Sequence, residues 1–121
     1  MAKAIKILLI DDEPDFTTPV AFWMKTQGHA VTVAKSCDEA LPALRAQRPD
    51  VIFLDKTMPG CDGIETLAKI REIDRSVPIV MMSAYTGDIE KQGERPKDVA
   101  MIFYKGDDFS KITDILRSVL P

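Results

Sequence analysis

Five short apolar runs alternate along the chain with segments of helical periodicity, and this alternation constrains the fold more than any other feature. The last three runs lack the polar-apolar alternation of a strand with one face in water, so both of their faces must be covered. Such strands are typical of a parallel sheet lying between two layers of helices. We therefore predict an α/β fold, a doubly wound five-stranded parallel sheet with helices on both faces. The runs occupy residues 5–10, 31–34, 51–54, 79–82 and 101–104.

Four intervening segments carry apolar residues at the spacing of a helix with one buried face. A Ser-x-x-Glu capping box, Ser36 to Glu39, marks the start of the second helix, and Asp107 or Asp108 is expected to cap the last. An Asp62-x-x-Glu65 pattern is expected to cap the third. The residues at helical spacing are Phe16, Val20 and Trp23; Ala40, Leu41 and Leu44; Ile64, Leu67, Ala68 and Arg71; and Phe109, Ile112, Leu116 and Val119.

Proline and glycine interrupt several of the predicted helices. Pro19 and Pro42 fall inside the first and second helices, where each removes a backbone hydrogen bond. Between residues 83 and 100, Gly87, Gly93 and Pro96 leave little uninterrupted helical sequence. We therefore expect the helix of that segment, the fourth, to be short or irregular.

Length and composition exclude several classes of protein. The 121 residues suit one domain, 1–121, and 16 basic against 19 acidic residues give a net charge of −3, unlike a general nucleic-acid binder. No apolar run approaches the roughly 20 residues that cross a bilayer. The lone histidine excludes a histidine-rich metal centre, and Cys37 and Cys61 are expected to be separate thiols rather than a disulfide. We expect a cytoplasmic protein without membrane contact.

The carboxyl ends of the predicted strands carry the polar residues of interest. The first run ends in Asp11 and Asp12, the third in Asp55, the fourth in Ser83 and the fifth in Lys105. In open parallel sheets the binding crevice lies at these ends, near the point where the strand order reverses. For the strand order 2-1-3-4-5, the first and third strands are neighbours, so the three acids should share one pocket.

The charges of this pocket predict its chemistry. Two carboxylates about 5 Å apart repel each other by about 3 kcal/mol at an effective dielectric constant of about 20. Protons or a divalent cation must offset that repulsion, and a ligand set of oxygens alone favours Mg²⁺ or another hard divalent cation. No Walker A loop and no Gly-x-Gly-x-x-Gly pattern accompanies the acids, which disfavours a bound nucleotide. We infer that Asp55 is a nucleophile that forms an acyl phosphate.

These residues together resemble the receiver domain of bacterial two-component response regulators. The resemblance covers essentially the whole chain and rests on Asp11-Asp12, the segment LDKTMPGCDG at 54–63, Ser83-Ala84 and Lys105. It implies a flavodoxin-like fold and a phosphoacceptor switch in a phosphorelay, with self-phosphotransfer and slow autodephosphorylation but no turnover catalysis. The implied donor is a phosphohistidine on a sensor histidine kinase or a phosphotransfer protein. A homodimer or a downstream output domain is a further implied partner, without direct nucleic-acid binding by this domain.

The resemblance also implies a role for each matching residue. Asp55 would accept the phosphoryl group, and Lys105 and the Ser83 hydroxyl would contact its oxygens. Asp12, Asp55 and the backbone carbonyl of Thr57 would ligate Mg²⁺, with Asp11 acting through water.

Two positions depart from the family pattern. Gly106 follows Lys105 where the family usually has a proline after a cis peptide, so a trans bond is expected. Ile102 stands where receivers tend to carry an aromatic switch residue, and Tyr104 lies on the same face of that strand. These departures leave open an alternative, a phosphorylation-independent receiver-like module that binds other proteins. An aspartate-nucleophile phosphatase is disfavoured, since those enzymes carry Asp-x-Asp after the first strand.

Overall fold

A computed structural model describes residues 4–58, 61–84 and 98–120, with the backbone alone at 61 and 62. The predicted fourth helix falls largely on 85–97 and lies outside the described residues. In chain order, the elements are β1 (Lys6–Ile10), α1 (Pro14–Thr26), β2 (Ala30–Ala34), α2 (Cys37–Gln47), β3 (Val51–Asp55), β4 (Thr57–Met58), β5 (Cys61–Asp62), α3 (Gly63–Ile73), β6 (Ile79–Ser83), β7 (Met101–Tyr104) and α4 (Ser110–Val119).

The five long strands form one parallel sheet in the order β2-β1-β3-β6-β7. Counted alone along the chain, these strands have the predicted order 2-1-3-4-5, which is confirmed. The two-residue strands β4 and β5 pair antiparallel with each other in a small hairpin directly after β3. The predicted doubly wound α/β architecture is therefore correct.

Side chains on the two faces of the sheet enter two separate apolar clusters. In β1, Ile7 and Leu9 pack with α1 and α4, whereas Leu8 and Ile10 pack with α2 and α3. Strand β3 is buried along its whole length, as a strand with a helix layer on each face requires. The absence of polar-apolar alternation in this run thus has the predicted cause.

The predicted helix starts are confirmed at α2 and α4. The hydroxyl of Ser36 accepts a hydrogen bond from the Glu39 N–H at 3.1 Å, and the Glu39 carboxylate accepts one from the Lys35 N–H at 3.1 Å. At α4, Asp108 lies one residue before the N-cap position, Phe109; its carboxylate accepts a hydrogen bond from the N–H of Ser110, the first helical residue, at 2.8 Å, and that bond lowers its pKa. The expected prolines lie inside α1 and α2.

The predicted stripe of α3 is partly wrong. Ile64 is 53% exposed, and Ala68 is exposed as well. The buried face runs instead through Thr66, Leu67 and Ile70. Thr66 turns inward because it contacts the first residue of α2, a neighbour that the periodicity of α3 does not reveal.

Cys37, the first residue of α2, is disulfide-bonded, so the expectation of a separate thiol is wrong. Its sulfur also lies 2.7 Å from the hydroxyl oxygen of Thr66 in α3. The expectation rested on the spacing of the cysteines along the sequence, and that spacing does not show how α2 packs against α3. Within the described part of the chain, every helix is too short or too polar to cross a bilayer.

Candidate functional site

The register of the sheet brings the predicted site residues to one edge. Ile10 of β1 pairs with Leu54 of β3, so Asp11 and Asp55 leave their strands at the same level. On the other side of β3, Asp55 pairs with Met82, one residue before Ser83. The carboxyl ends of β1, β3, β6 and β7 therefore surround a single pocket, as the strand order predicts.

Four carboxylates meet in this pocket. Asp11 is fully buried and Asp55 is 3% exposed, whereas Asp12 is half-buried and Glu13 is exposed. One oxygen from each of the four lies within 4.8 Å of the others. The clustering of Asp11, Asp12 and Asp55 predicted from the sequence is correct.

The ammonium of Lys105 lies among these acids. Its Nζ is 2.7 Å from Asp11 Oδ2, 2.7 Å from Glu13 Oε1 and 3.2 Å from Asp55 Oδ2, and its side chain is only 13% exposed. The ring of Phe16, one turn into α1, contacts the same ammonium with its centroid 5.0 Å away. Four carboxylates against one ammonium leave the cluster with a formal charge of −3.

Asp55 is the carboxyl whose ionisation the pocket disfavours. Burial raises its pKa from the ordinary value of 3.8 to about 6, and the nearby charge of Asp11 acts in the same direction. The Thr57 N–H, which donates to Asp55 Oδ1 at 3.2 Å, and the Lys105 ammonium act in the opposite direction. Asp55 is therefore an anion at neutral pH, but a poorly solvated one with both oxygens held.

Lys105 stays protonated throughout the physiological range. Burial lowers the pKa of its ammonium, but hydrogen bonds to Asp11 and Glu13 and the charges of Asp11 and Asp55 outweigh that effect and raise it overall. The pocket thus holds a permanent cation beside Asp55.

Two further predicted residues border the pocket. Thr57 is exposed in the hairpin after β3, and its contact with Asp55 is made through its backbone N–H. Ser83 is buried at the end of β6, where its hydroxyl donates to the Ala84 carbonyl at 3.3 Å. The Lys105 N–H donates to the Ser83 carbonyl at 2.9 Å, so the two residues leave neighbouring strands together.

Glu13 and Phe16 are site residues that the sequence reasoning did not single out. Glu13 directly follows the acidic pair after the first strand, and this position could have indicated that it belongs to the site. Its backbone N–H donates to Asp11 Oδ1 at 2.9 Å, which fixes the start of α1 against the pocket. Phe16 was assigned to the apolar stripe of this helix alone.

The structure also shows the two positions that depart from the family pattern, one in β7 and one just after it. The bond between Lys105 and Gly106 is not cis, as expected. A Cβ atom added at Gly106 would meet nothing within 4 Å. Ile102 and Tyr104 are both partly buried in β7.

The acidic cluster fits a hard divalent cation. Its ligands are carboxylate oxygens alone, which suits Mg²⁺ better than softer metals. Asp11 Oδ2 is buried, and among the described residues it contacts the Lys105 ammonium alone, at 2.7 Å. A buried carboxylate oxygen with spare lone pairs, within 4.8 Å of three others, is chemically suited to accept a cation or its bound water.

Residues 7–117 match the family described as the response regulator receiver domain. The transcriptional regulatory protein AfsQ1 of Streptomyces coelicolor is 40% identical over 84 residues, which cover 69% of this chain and 37% of that protein. Sporulation initiation phosphotransferase F of Bacillus subtilis is 31% identical over 117 residues, covering 96% of this chain and 94% of the relative.

Solved structures agree with this similarity. The chemotaxis protein CheY4 of Vibrio cholerae is 26% identical and superposes with a TM-score of 0.86 over 98% of this chain and all of that one. The chain spans only about a third of AfsQ1, and still less of the nitrogen regulator NtrX of Azorhizobium caulinodans, of which it covers 19%.

Proposed function

The chain belongs to the family of response regulator receiver domains, and on that premise we propose that Asp55 is its phosphoacceptor. Receiver domains are phosphorylated on an aspartate in two-component systems. The observation that supports Asp55 is its buried carboxylate, 3.2 Å from the Lys105 ammonium at the end of the central strand. Its two oxygens accept hydrogen bonds from the Thr57 N–H and the Lys105 ammonium.

The phosphoryl transfer begins with attack of an Asp55 oxygen on the phosphorus of a phosphohistidine. The new O–P bond forms as the P–N bond breaks, and the electron pair of that bond returns to the imidazole, which takes up a proton. The Thr57 N–H and the Lys105 ammonium hold the carboxylate in one orientation, which favours in-line attack. Incomplete solvation of Asp55 keeps its anion reactive.

Lys105 and Ser83 stabilise the product. The ammonium transfers its contact from Asp55 to an oxygen of the phosphoryl group, where it neutralises charge. The Ser83 hydroxyl exchanges its 3.3 Å bond to the Ala84 carbonyl for a bond to a second phosphoryl oxygen. Since Ser83 is the last residue of β6, that exchange connects the pocket with the end of this strand.

Asp12, Asp55 and the Thr57 carbonyl would hold Mg²⁺, and Asp11 would contact it through water. When bound, the cation supplies positive charge. That charge offsets the formal −3 of the cluster and also the negative charge of the incoming phosphoryl oxygens.

The rest of the assignment follows from this chemistry. Residues 1–121 form a single receiver domain. It takes a phosphoryl group from a sensor histidine kinase or a phosphotransfer protein, hydrolyses its own acyl phosphate slowly, and turns over no other substrate. We place it in the cytoplasm, without contact to membranes or direct contact to nucleic acid. A homodimer or an output domain receives the signal. The similar protein AfsQ1, of which this chain matches 37%, is a transcriptional regulatory protein.

A second candidate is a receiver that binds its partner without responding to phosphorylation. It is favoured by Ile102 in β7 and by the bond between Lys105 and Gly106, which is not cis. Ile102 lies in the strand that would carry the signal away from the pocket, and the Lys105–Gly106 bond directly follows that strand.

Incubation with acetyl phosphate and Mg²⁺, followed by intact-mass measurement, tests the first candidate. We expect the native chain to gain one phosphoryl group and Asp55→Asn to gain none. Asp114→Asn is the matched control, since Asp114 lies on the exposed face of α4. A native chain that stays unmodified while binding Mg²⁺ would favour the second candidate.

A further inference from the structure

Glu13 contacts the pocket in a way that the proposed phosphotransfer does not use. Its Oε1 accepts a 2.7 Å hydrogen bond from the Lys105 ammonium, shorter than the 3.2 Å bond from the same ammonium to Asp55. The Glu13 side chain is 61% exposed, whereas that of Lys105 is 13% exposed. Glu13 therefore reaches from the solvent into the mouth of the pocket.

The backbone of Glu13 is held, so its carboxylate is the part of the residue that can move. Its N–H donates to Asp11 Oδ1, and its carbonyl accepts hydrogen bonds from the N–H groups of Phe16 and Thr17 at the start of α1. The side chain can therefore leave Lys105 without disturbing the helix or the strand. Asp11 and Asp55 would still hold the ammonium in the pocket.

We propose that Glu13 is a positioning residue that competes with the phosphoryl group for Lys105. This inference rests on the proposed function. In the unphosphorylated chain, Glu13 supplies a third anionic partner to the ammonium. When an oxygen of the phosphodonor approaches, that oxygen displaces Glu13, whose carboxylate swings into water at little cost because it is already solvent-exposed. Glu13 thus slows phosphorylation and favours the unphosphorylated state.

The size of the effect follows from the exposure of the pair. An ion pair whose carboxylate is largely in water is weak, so we expect Glu13→Gln to be phosphorylated about three to five times faster than the native chain. Glu72→Gln is the matched control, because it removes the same charge from an exposed position on α3.

Glu13→Asp separates contact from charge. The shorter side chain keeps the negative charge at the mouth of the pocket, but with the backbone fixed its carboxylate no longer reaches Lys105. If Glu13 acts by holding Lys105, Glu13→Asp should be accelerated like Glu13→Gln. A native rate for Glu13→Asp together with a fast Glu13→Gln would overturn the competition in favour of plain repulsion of an anionic donor.

Two further readouts make the test independent of the phosphotransfer chemistry. The ¹⁵Nζ resonance of Lys105 should shift in Glu13→Gln and Glu13→Asp but not in Glu72→Gln. Calorimetric titration with Mg²⁺ should give native affinity for Glu13→Asp, which keeps the charge, and a loss of affinity in that variant would assign Glu13 to the metal site instead. An unmodified native chain would overturn the proposed function and the competition with it. A normally modified native chain with an equally fast Glu13→Gln would overturn the competition alone.

Discussion

The replacement Asp55→Asn should stabilise the metal-free protein at neutral pH, although it removes the proposed phosphoacceptor. Burial raises the pKa of Asp55 to about 6 in the folded state, against an ordinary value of 3.8. Between these two values the folded state retains a proton that the unfolded state has lost. The contribution of Asp55 to the free energy of unfolding therefore falls as pH rises through this window.

The magnitude follows from the same two pKa values. At about 1.4 kcal/mol for each pH unit, ionisation of buried Asp55 costs the folded state about 3 kcal/mol by pH 7. Asparagine avoids this cost, which already includes the attraction of Lys105 for the carboxylate, but its amide must find partners in the same buried place. Lys105 keeps its contacts with Asp11 and Glu13. We expect a net gain of about 1–2 kcal/mol at pH 8, and a much smaller difference near pH 4.

Urea denaturation in the presence of a chelator, from pH 4 to pH 8, measures this difference. Asp114→Asn serves as the control, since it makes the same replacement on the exposed face of α4. Adding Mg²⁺ should stabilise the native chain more than Asp55→Asn and so shrink the gap. If the stability difference between Asp55→Asn and the native chain does not grow from pH 4 to pH 8, the carboxylate is not disfavoured by its burial.

Three further changes test the surroundings of the pocket. Gly63→Ala should lower the free energy of unfolding by about 1–3 kcal/mol, because its Cβ would lie 2.7 Å from the Lys56 carbonyl oxygen. Gly106→Ala is the control, because a Cβ at that position would lie in open space. In the same urea titration it should change the free energy of unfolding by less than about 0.5 kcal/mol. Arg71→Gln should cost about 1–3 kcal/mol, since its guanidinium donates to three backbone carbonyls after α3 and before β7; an unchanged urea midpoint would contradict this. Ile102→Tyr should leave phosphorylation intact but enlarge the change in amide chemical shifts that follows it, and an unenlarged change would show that no switch function is missing at this position.

Much of the fold could be predicted because its signals are local. The continuous apolar runs at 51–54 and 79–82 require cover on both faces, and this suffices for a parallel sheet between helices. The meeting of Asp11 and Asp55 followed from strand order, since parallel neighbours end at the same edge of a sheet. The capping residue Ser36 was predictable for the same reason, because a cap and its helix are adjacent in sequence.

The buried face of α3 was harder to predict. Ile64 and Ala68 fit the helical period as well as the buried Leu67 does, but the face that is covered depends on which elements pack against the helix. The disulfide at Cys37 depends in the same way on packing between elements, about which spacing along the chain is silent.

The sequence by itself determined the parallel sheet between helices and the set of acids and lysine at its strand ends, because hydrophobic periodicity and strand-end positions are encoded in short segments. Only the tertiary structure decided which of these residues contact one another and how deeply each is buried. Glu13 and Lys105 are 92 residues apart and form a 2.7 Å contact, and burial rather than any neighbouring residue in sequence is the main cause of the raised pKa of Asp55. Distances and solvation arise from the packing of the whole chain, so no local pattern records them.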